Sequence, residues 1–181
     1  MPETACGWPC RNDADMLIAG ETPCPGDAQG EAKGGMECAN ITHAQEQTQF
    51  ALWAIFASPL YMSADLRAMP ARSRRILLNA EIIAVSQDKL GRQGRLLAWA
   101  PETQVWARHL AGGDVAVALY NRAAPGPATV RLAFRDVGFS NVTRVAVRDL
   151  YAHRDLGVFV TSFEGESIAP TAVQMLRLSV A

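Results

Sequence analysis

The stretch QTQFALWAIFASPLYMSADLR, residues 47–67, decides the fold of this 181-residue chain. It overlaps Gln45–Ala57, which lacks proline and glycine and carries apolar side chains at helical spacing on most sides. This pattern predicts a helix that is buried on most sides. Ser58-Pro59 ends the helix, and Leu60–Met62 is predicted as a short strand. Helix alternating with strand is typical of parallel β/α units.

The β/α pattern extends to both sides of this stretch. Pro70 stands where a second helix begins, and the helical pattern continues to Asp88. Upstream, Asn12-Asp13-Ala14-Asp15-Met16-Leu17 leads into a short apolar piece. On a strand, its two aspartates would point to one face with Cα atoms about 6.7 Å apart. Such a pair suits a glycosidase or a metal site, whereas the alternative is a polar turn that leads into a strand.

From Gly94 onward the apolar period changes from helical spacing to two. Apolar residues alternate with their neighbours at five places: Val105/Ala107, Val115/Val117/Leu119, Val130/Leu132/Phe134, Val145/Val147 and Val173/Met175. Turn signals separate them at Gly112-Gly113, Pro125-Gly126-Pro127 and Gly165. Short strands at this spacing predict an antiparallel sandwich.

Composition excludes several classes of protein. The chain has 17 Lys and Arg against 18 Asp and Glu, and 49% of its residues are hydrophobic. It can therefore bury a core, and it lacks the basic balance of a nucleic-acid-binding module. The longest apolar run, residues 50–62, is about 13 residues long, against the roughly 20 that a membrane span needs. Residues 1–6 have neither the basic start nor the apolar stretch of a signal peptide.

Cysteine and histidine spacing disfavours a metal site. All four cysteines lie in the first 38 residues: Cys6, Cys10, Cys24 and Cys38. A zinc site normally has two close pairs, and only the first two cysteines come near that spacing. The three histidines are scattered along the chain: His43, His109 and His153. Disulfides and unpaired thiols both remain open at this point.

Three motifs resemble the α-galactosidase (melibiase) family of retaining glycoside hydrolases, which includes α-N-acetylgalactosaminidases. Residues 47–67 and the stretch NAEIIAVSQDKLGRQG, residues 79–94, resemble it closely. The run Asn12–Leu17 is similar to the family's substrate-site segment. The motifs occur in the family's order, and the resemblance covers about residues 11–181.

The resemblance implies an α/β plus all-β architecture. Residues 1–91 would form the last two β/α units of a (β/α)₈ TIM barrel, with an inserted Gly/Pro/Cys loop at about residues 21–38. Residues 92–181 would form the antiparallel β-sandwich. Asn12–Ile18 and Leu60–Ser63 would be barrel strands seven and eight. The two aspartates would then lie at the C-terminal face of the barrel, where such enzymes keep their sites.

The resemblance also implies roles for the site residues. Asp15 would accept hydrogen bonds from galactose hydroxyls, and Met16 would form an apolar wall beside the sugar. A buried carboxylate suits the first task because charge-assisted hydrogen bonds are roughly twice as strong as neutral ones. Asp13 would support Asp15, or it would only bond the local backbone.

Other conspicuous side chains are assigned structural roles. Asp65 and Arg67 are expected to pair near the barrel rim. Trp53 lies on the buried helix and is predicted to be core, not a platform for sugar. Trp99 and Trp106 alternate with polar neighbours and are predicted to be core or interface residues.

The family's two catalytic aspartates, a nucleophile and an acid/base, belong to earlier barrel strands. We therefore expect no catalytic residue within these 181 residues, and an inactive chain when it is alone. Arg11 also departs from the family, which has tryptophan before the Asn-Asp motif. A truncated gene model, a splice form and a decayed copy all remain open. The alternative to an enzyme part is a non-catalytic carbohydrate-binding or interaction remnant of the same fold.

The resemblance finally implies ligands, location and modifications. We expect an α-galactoside as the ligand, no cofactor, no metal, and neither nucleic acid nor membrane as partner. Homodimerisation of the full-length enzyme is left open. A secreted, lysosomal or vacuolar location is expected, with glycans at Asn40 and Asn141 and a disulfide between Cys24 and Cys38.

Overall fold

The computed structural model describes residues 13–21, 41–123 and 125–181. Within these ranges it contains three α-helices: α1 (His43–Phe56), α2 (Ala71–Leu77) and α3 (Ala80–Ser86). It also contains eight strands: β1 (Arg95–Trp99), β2 (Thr103–His109), β3 (Val115–Asn121), β4 (Ala128–Ala133), β5 (Arg144–Asp149), β6 (Arg154–Val160), β7 (Ser162–Ile168) and β8 (Val173–Val180). The predictions for the four cysteines, Arg11 and Asn40 lie outside the described residues.

Helix α1 confirms the helix predicted at Gln45–Ala57, with a start two residues earlier. Thr42 caps its beginning: the Thr42 hydroxyl accepts from the Gln45 N–H at 3.3 Å, and the Gln45 side chain accepts from the Thr42 N–H at 2.8 Å. This reciprocal pair satisfies two N–H groups that a helix start leaves open. The helix ends at Ala57, whose φ of 56° is left-handed, directly before Ser58-Pro59.

The single helical segment predicted from Pro70 to Asp88 is wrong in one respect, because the structure divides it into α2 and α3. Asn79 stands at the break. Its side-chain oxygen accepts from the Glu81 and Ile82 N–H groups, each at 3.1 Å, and thereby caps α3. An asparagine that caps a helix start competes with continuation of the helix before it.

The two predicted barrel strands meet at one parallel bridge, between Leu17 and Met62. The Leu17 N–H donates to the Tyr61 carbonyl at 2.7 Å, and the Ser63 N–H donates to the Leu17 carbonyl at 3.1 Å. The strand expected at Leu60–Met62 is therefore reduced to a bridge, with the parallel direction that β/α units require.

The antiparallel β-sandwich is confirmed. One sheet has six strands in the order β1-β2-β3-β8-β5-β6, and β4 pairs with β7 in a second, two-stranded sheet. Strand β3 is buried on both faces: Val115, Val117 and Leu119 face the β4–β7 pair, whereas Ala116 and Ala118 join the core under the helices. The result is three layers, with the helices on one face of the large sheet and β4–β7 on the other.

Two sequence interpretations in the sandwich are wrong. The alternation predicts that Phe134 continues a strand, but this residue starts a 3₁₀ turn, Phe134–Val137. The sequence also predicts a turn at Gly165, but this residue lies inside β7. A Cβ atom on Gly165 would lie 2.5 Å from the Gln174 side-chain oxygen and 2.8 Å from Leu119 Cδ1. The glycine therefore marks a close approach between the two sheets, not a chain reversal.

Gly94 lies where the chain passes from the helices to the sandwich. Its N–H donates to the Ile55 carbonyl at 2.7 Å. A Cβ atom on Gly94 would lie 2.5 Å from Ile55 Cγ2 and 2.7 Å from the Ala107 carbonyl oxygen. The end of α1, the linking segment and β2 thus touch at a point that has no space for a side chain.

Strand β5 and the turn that follows it bind the sandwich to the helices. The Tyr151 hydroxyl donates to the Gln47 carbonyl of α1 at 2.5 Å. Arg148 donates to both carboxylate oxygens of Glu81 on α3, at 2.6 and 2.9 Å, and His153 Nδ1 lies 2.6 Å from Glu81 Oε1. The Arg148 guanidinium is the main cause that lowers the pKa of Glu81 to about 2.

We expect Gly94→Ala to lower the free energy of unfolding by about 1–3 kcal/mol, because overpacking against backbone atoms forces the chain to shift. Urea unfolding followed by tryptophan fluorescence measures the change. Gly126→Ala is the matched control, since a Cβ atom there meets no atom within 4 Å. Equal losses in the two variants would contradict the close contact at Gly94.

We expect Glu81→Gln to lower stability by about 1 kcal/mol at pH 7, since it weakens a partly exposed ion pair. The pKa of Glu81 is lowered on folding, so its contribution is complete above pH about 4.5 and is lost as the pH falls towards 2. The urea midpoints of the unaltered chain and of Glu81→Gln, measured at pH 7, 5, 4 and 3, should therefore approach each other as the pH falls. Glu164→Gln, which alters an exposed pair at 3.7 Å, is the control. A difference that stays constant down to pH 3 would count against this assignment.

Candidate functional site

Residues Asp13 to Met16 form a polar turn, not an extended strand. The Asp13 carboxylate accepts from the Asp15 N–H at 3.0 Å, and the Asp15 carboxylate accepts from the Met16 N–H at 2.7 Å. Asp15 has a φ of 69°, in the left-handed region. The prediction of two aspartates on one face of a strand is therefore wrong, and the alternative, a polar turn that leads into a strand, is confirmed.

Both aspartates are exposed in the described chain, and the Met16 side chain is 45% exposed. This differs from the buried carboxylate expected for Asp15. The reason is that the neighbouring elements hold the backbone of the turn and leave its carboxylates in solvent. Their placement at the C-terminal face of a barrel stays a prediction.

Helix α1 holds this turn through its side chains. The Trp53 Nε1–H donates to the Asp15 carbonyl at 2.7 Å. Gln49 makes two bonds to the same strip of backbone: its Nε2 donates to the Met16 carbonyl at 3.3 Å, and its Oε1 accepts from the Ile18 N–H at 3.0 Å. In parallel pairing, successive residues direct their backbone groups to opposite edges. Gln49 therefore occupies the edge opposite the parallel bridge.

A buried carboxylate continues this row of contacts. Glu46 Oε1 accepts from the Gly20 N–H at 3.1 Å, and the Ser73 hydroxyl donates to both Glu46 oxygens at 2.9 and 3.0 Å. His43 Nδ1 lies 3.4 Å from Glu46 Oε2. These partners satisfy a carboxylate that is otherwise costly to bury, so Glu46 acts as a structural anchor for the end of the segment.

Residues 46, 49 and 53 stand at positions i, i+3 and i+7, and so lie on one face of α1. The sequence interpretation treated α1 as apolar on most sides and missed this polar row. The sequence does contain a signal for this polar row, because Glu46 and Gln49 interrupt the apolar pattern of a helix that is otherwise largely buried. Trp53, predicted to be core, is half-buried and also binds the Asp15 backbone.

The other side of the bridge carries a second group of polar contacts. The Ser63 hydroxyl donates to the Leu17 carbonyl at 3.0 Å and also contacts the Glu21 carboxylate. Asp65 and Arg67 form the expected pair, with bonds of 2.8 to 3.2 Å between the guanidinium and the carboxylate. The Arg67 guanidinium lowers the pKa of Asp65.

The remaining predicted residues are distributed over the sandwich. Trp106 packs edge-on against Phe56 of α1, with ring centroids 5.0 Å apart, which confirms an interface role. Trp99 is 63% exposed on the edge strand β1, so it is not a core residue of the described chain. Asn141 is exposed in a turn before β5.

Two properties of the described residues bear on ligands and location. No three His, Cys, Asp or Glu side chains in residues 13–21, 41–123 and 125–181 are grouped so as to hold a metal ion. None of the helices in those ranges has the length and apolar character needed to cross a bilayer.

Two helix-bearing segments joined by a parallel bridge, followed by an antiparallel sandwich, are typical of a protein built from β/α units with an appended β-domain. Residues 3–88 match a family model described as Alpha galactosidase A. Residues 100–178 match one described as the Alpha galactosidase C-terminal beta sandwich domain. The chain belongs to the α-galactosidase family, of which it carries the C-terminal part.

Individual relatives agree with this assignment. The α-galactosidase of Cyamopsis tetragonoloba is 37% identical over 147 residues, which are 81% of this chain and 31% of that protein. Human Alpha-galactosidase A is 34% identical over 177 residues, which are 95% of this chain and 37% of that protein. The chain thus spans about a third of the length of these relatives. The crystal structure of α-galactosidase I from Mortierella vinacea shares the fold, with a TM-score of 0.79 at 22% identity over 94% of this chain and 40% of that one.

We expect Gln49→Ala to raise the amide exchange rate of Ile18 by about five- to tenfold, because a lost hydrogen bond costs about 1 kcal/mol. Hydrogen–deuterium exchange of the peptide that covers residues 13–21 measures this. Gln47→Ala is a matched control on the same helix, since Gln47 contacts Tyr151 through its backbone carbonyl. Unchanged exchange at Ile18 would show that Gln49 does not hold this edge.

Proposed function

We propose that this chain is the C-terminal part of an α-galactosidase that hydrolyses terminal α-linked galactose from glycosides. The chain contributes one wall of the sugar site. The observation that carries the proposal is the Asp13–Met16 turn, which keeps an accessible carboxylate and an apolar side chain next to each other in a chain of this family. The chain spans about a third of its relatives. The family resemblance assigns the catalytic pair to earlier barrel strands, in the rest of the enzyme.

The chemistry of the turn supports this role. Asp15 uses one carboxylate oxygen for the Met16 N–H, and its second oxygen is available to accept a sugar hydroxyl. The charge of the carboxylate strengthens such a bond. Met16 offers apolar surface to the carbon face of the sugar. Asp13 supports Asp15 indirectly, through the bond to its N–H.

The reaction that the complete enzyme would perform is a retaining double displacement. One aspartate forms a covalent glycosyl-enzyme while a second protonates the leaving group, and the second then activates water to release the sugar. In this scheme the chain's own residues bind and orient galactose, and neither aspartate of the turn attacks the substrate. No cofactor is required by this mechanism.

A second candidate function is a non-catalytic carbohydrate-binding or interaction protein. One observation favours it: α1 satisfies backbone groups on the open edge of the turn segment, through Gln49 and Glu46. An edge that is already covered does not demand a further strand. Binding of galactose by the chain alone, without turnover, would favour this alternative.

We further propose a secreted, lysosomal or vacuolar location for the protein. The family resemblance and the concentration of cysteines near the start of the chain support this proposal. A Cys24–Cys38 disulfide would close the inserted loop and contribute about 3 kcal/mol. Mass spectrometry with and without reductant tests the pairing, and two free thiols would reject it.

We expect Asp15→Asn to lower kcat/KM for a p-nitrophenyl α-galactoside by about 10²-fold or more in a full-length enzyme that supplies the six other β/α units. Asparagine keeps the shape of the side chain and removes the charge. Asp13→Asn should cost much less, because its side-chain oxygen can still accept from the Asp15 N–H. Equal losses would mean that these two roles are assigned wrongly.

The isolated chain provides the complementary control. We expect no turnover above the buffer rate, because neither aspartate of the turn attacks the substrate in the proposed mechanism. Turnover by the chain alone that disappears in Asp15→Ala would overturn the proposal, since the turn would then perform the chemistry itself.

A further inference from the structure

The sequence Asn141-Val142-Thr143 lies in a tight turn before β5, far from the turn that carries Asp15 along the chain. The Thr143 N–H donates to the Ser140 carbonyl at 3.1 Å, and the two hydroxyls of Ser140 and Thr143 are 2.7 Å apart. Asn141 and Val142 occupy the two corner positions. Both are exposed, and Val142 is 85% exposed.

This turn borders the outward face of the β4–β7 pair. Val130, Leu132 and Phe163 point inward to the core, so Arg131 and Ser162, which alternate with them, point outward. Between this face and the turn is an open depression of about 330 Å³. It is lined by Arg131, Ala133, Arg135, Asn141, Thr161 and Ser162. The lining offers guanidinium and hydroxyl donors beside the Asn141 side chain.

We propose that Asn141 is an N-glycosylation acceptor whose first N-acetylglucosamine lies over this depression. The sequence Asn-x-Thr is the acceptor pattern, and the exposed corner position gives the asparagine access to solvent. The hydroxyls and acetamide of the sugar match the donors of Arg131 and Arg135. The proposal rests on the proposed secretory location and is independent of the proposed galactosidase activity.

The covalent step uses an oligosaccharide carried on a lipid pyrophosphate. The Asn141 Nδ2 forms a bond to C1 of the first sugar, and the bond between C1 and the pyrophosphate oxygen breaks. The lipid pyrophosphate leaves with the electron pair of that bond, and the amide nitrogen loses one proton to a base of the transferase. No oxidant or reductant is needed.

The layer order of the fold makes this position compatible with the sugar site. The helices and the Asp15 turn lie on one face of the large sheet, whereas β4–β7 and Asn141 lie on the other. A glycan at Asn141 therefore does not obstruct the proposed galactose site. It would instead cover Val142 and the outward face of the β4–β7 pair.

The test uses the full chain with a cleavable signal peptide, translated into microsomes in an Asn40→Gln background. We expect one glycan in the reference chain and in Thr143→Ser, and none in Asn141→Gln or Thr143→Ala. Peptide N-glycosidase should remove the glycan and leave aspartate at position 141, which mass spectrometry identifies. A chain that is protected from added protease inside the microsomes, yet has an unmodified Asn141, overturns the proposal.

A second readout tests the placement of the sugar. We expect slower amide exchange in residues 131–135 and 161–162 of the glycosylated chain than in the Asn141→Gln chain, with an equal or higher melting temperature. A lower melting temperature, or unchanged exchange in both segments, would overturn the placement over the depression. These results are separate from the Asp15→Asn experiment, which tests the galactosidase proposal alone.

Discussion

The buried guanidinium of Arg108 joins the two halves of the molecule. Arg108 belongs to β2 and is 1% exposed, and its Nη1 donates to the Ala54 carbonyl at 2.6 Å and to the Ser86 carbonyl at 3.3 Å. These carbonyls belong to the last turns of α1 and α3, where the helix dipole is negative and a carbonyl lacks the usual N–H partner four residues further along. A buried charge is costly unless it is bonded, so both helix ends must converge on this strand.

Fixing the end of α1 also fixes the turn with Asp15. Ala54 receives the Arg108 bond, and its neighbour Trp53 donates to the Asp15 carbonyl. Gln49 and Glu46 continue the row of contacts along the same helix face. The sandwich therefore positions the Asp15 turn indirectly, through α1. Arg108 of the sheet binds the end of this helix, and side chains along one face of the helix bind the turn. This gives the β-domain a structural reason to accompany the proposed sugar site.

The elements that could be predicted from the sequence are those set by apolar periodicity. Helix α1 and most strands of the sandwich follow from spacings of 3.6 and 2, because burial of one or both faces dominates there. The predictions failed where a local contact competes with periodicity. Asn79 caps a helix inside a helical pattern, Gly165 is needed for close sheet packing, and Asp13 bonds the Asp15 backbone and turns a predicted strand. Strand β6 has no clear apolar alternation because it is an edge strand, exposed along most of its length.

The two functional hypotheses, a part of an enzyme and a non-catalytic remnant, differ physically at one backbone group, the Ile18 N–H. In this chain it donates to the Gln49 side chain, on the edge opposite the bridge to Met62. In a closed eight-stranded barrel, every strand has a partner on both edges, and a strand that paired with Ile18 on that side would use the same N–H. A single N–H forms one strong bond, so Gln49 and a neighbouring strand compete for it. A neighbouring strand that pairs with Ile18 would replace this one Gln49 bond, and the Trp53 bond to the Asp15 carbonyl would still hold the turn. The Gln49 contact is therefore the structural difference between a remnant that stands alone and a part of an enzyme.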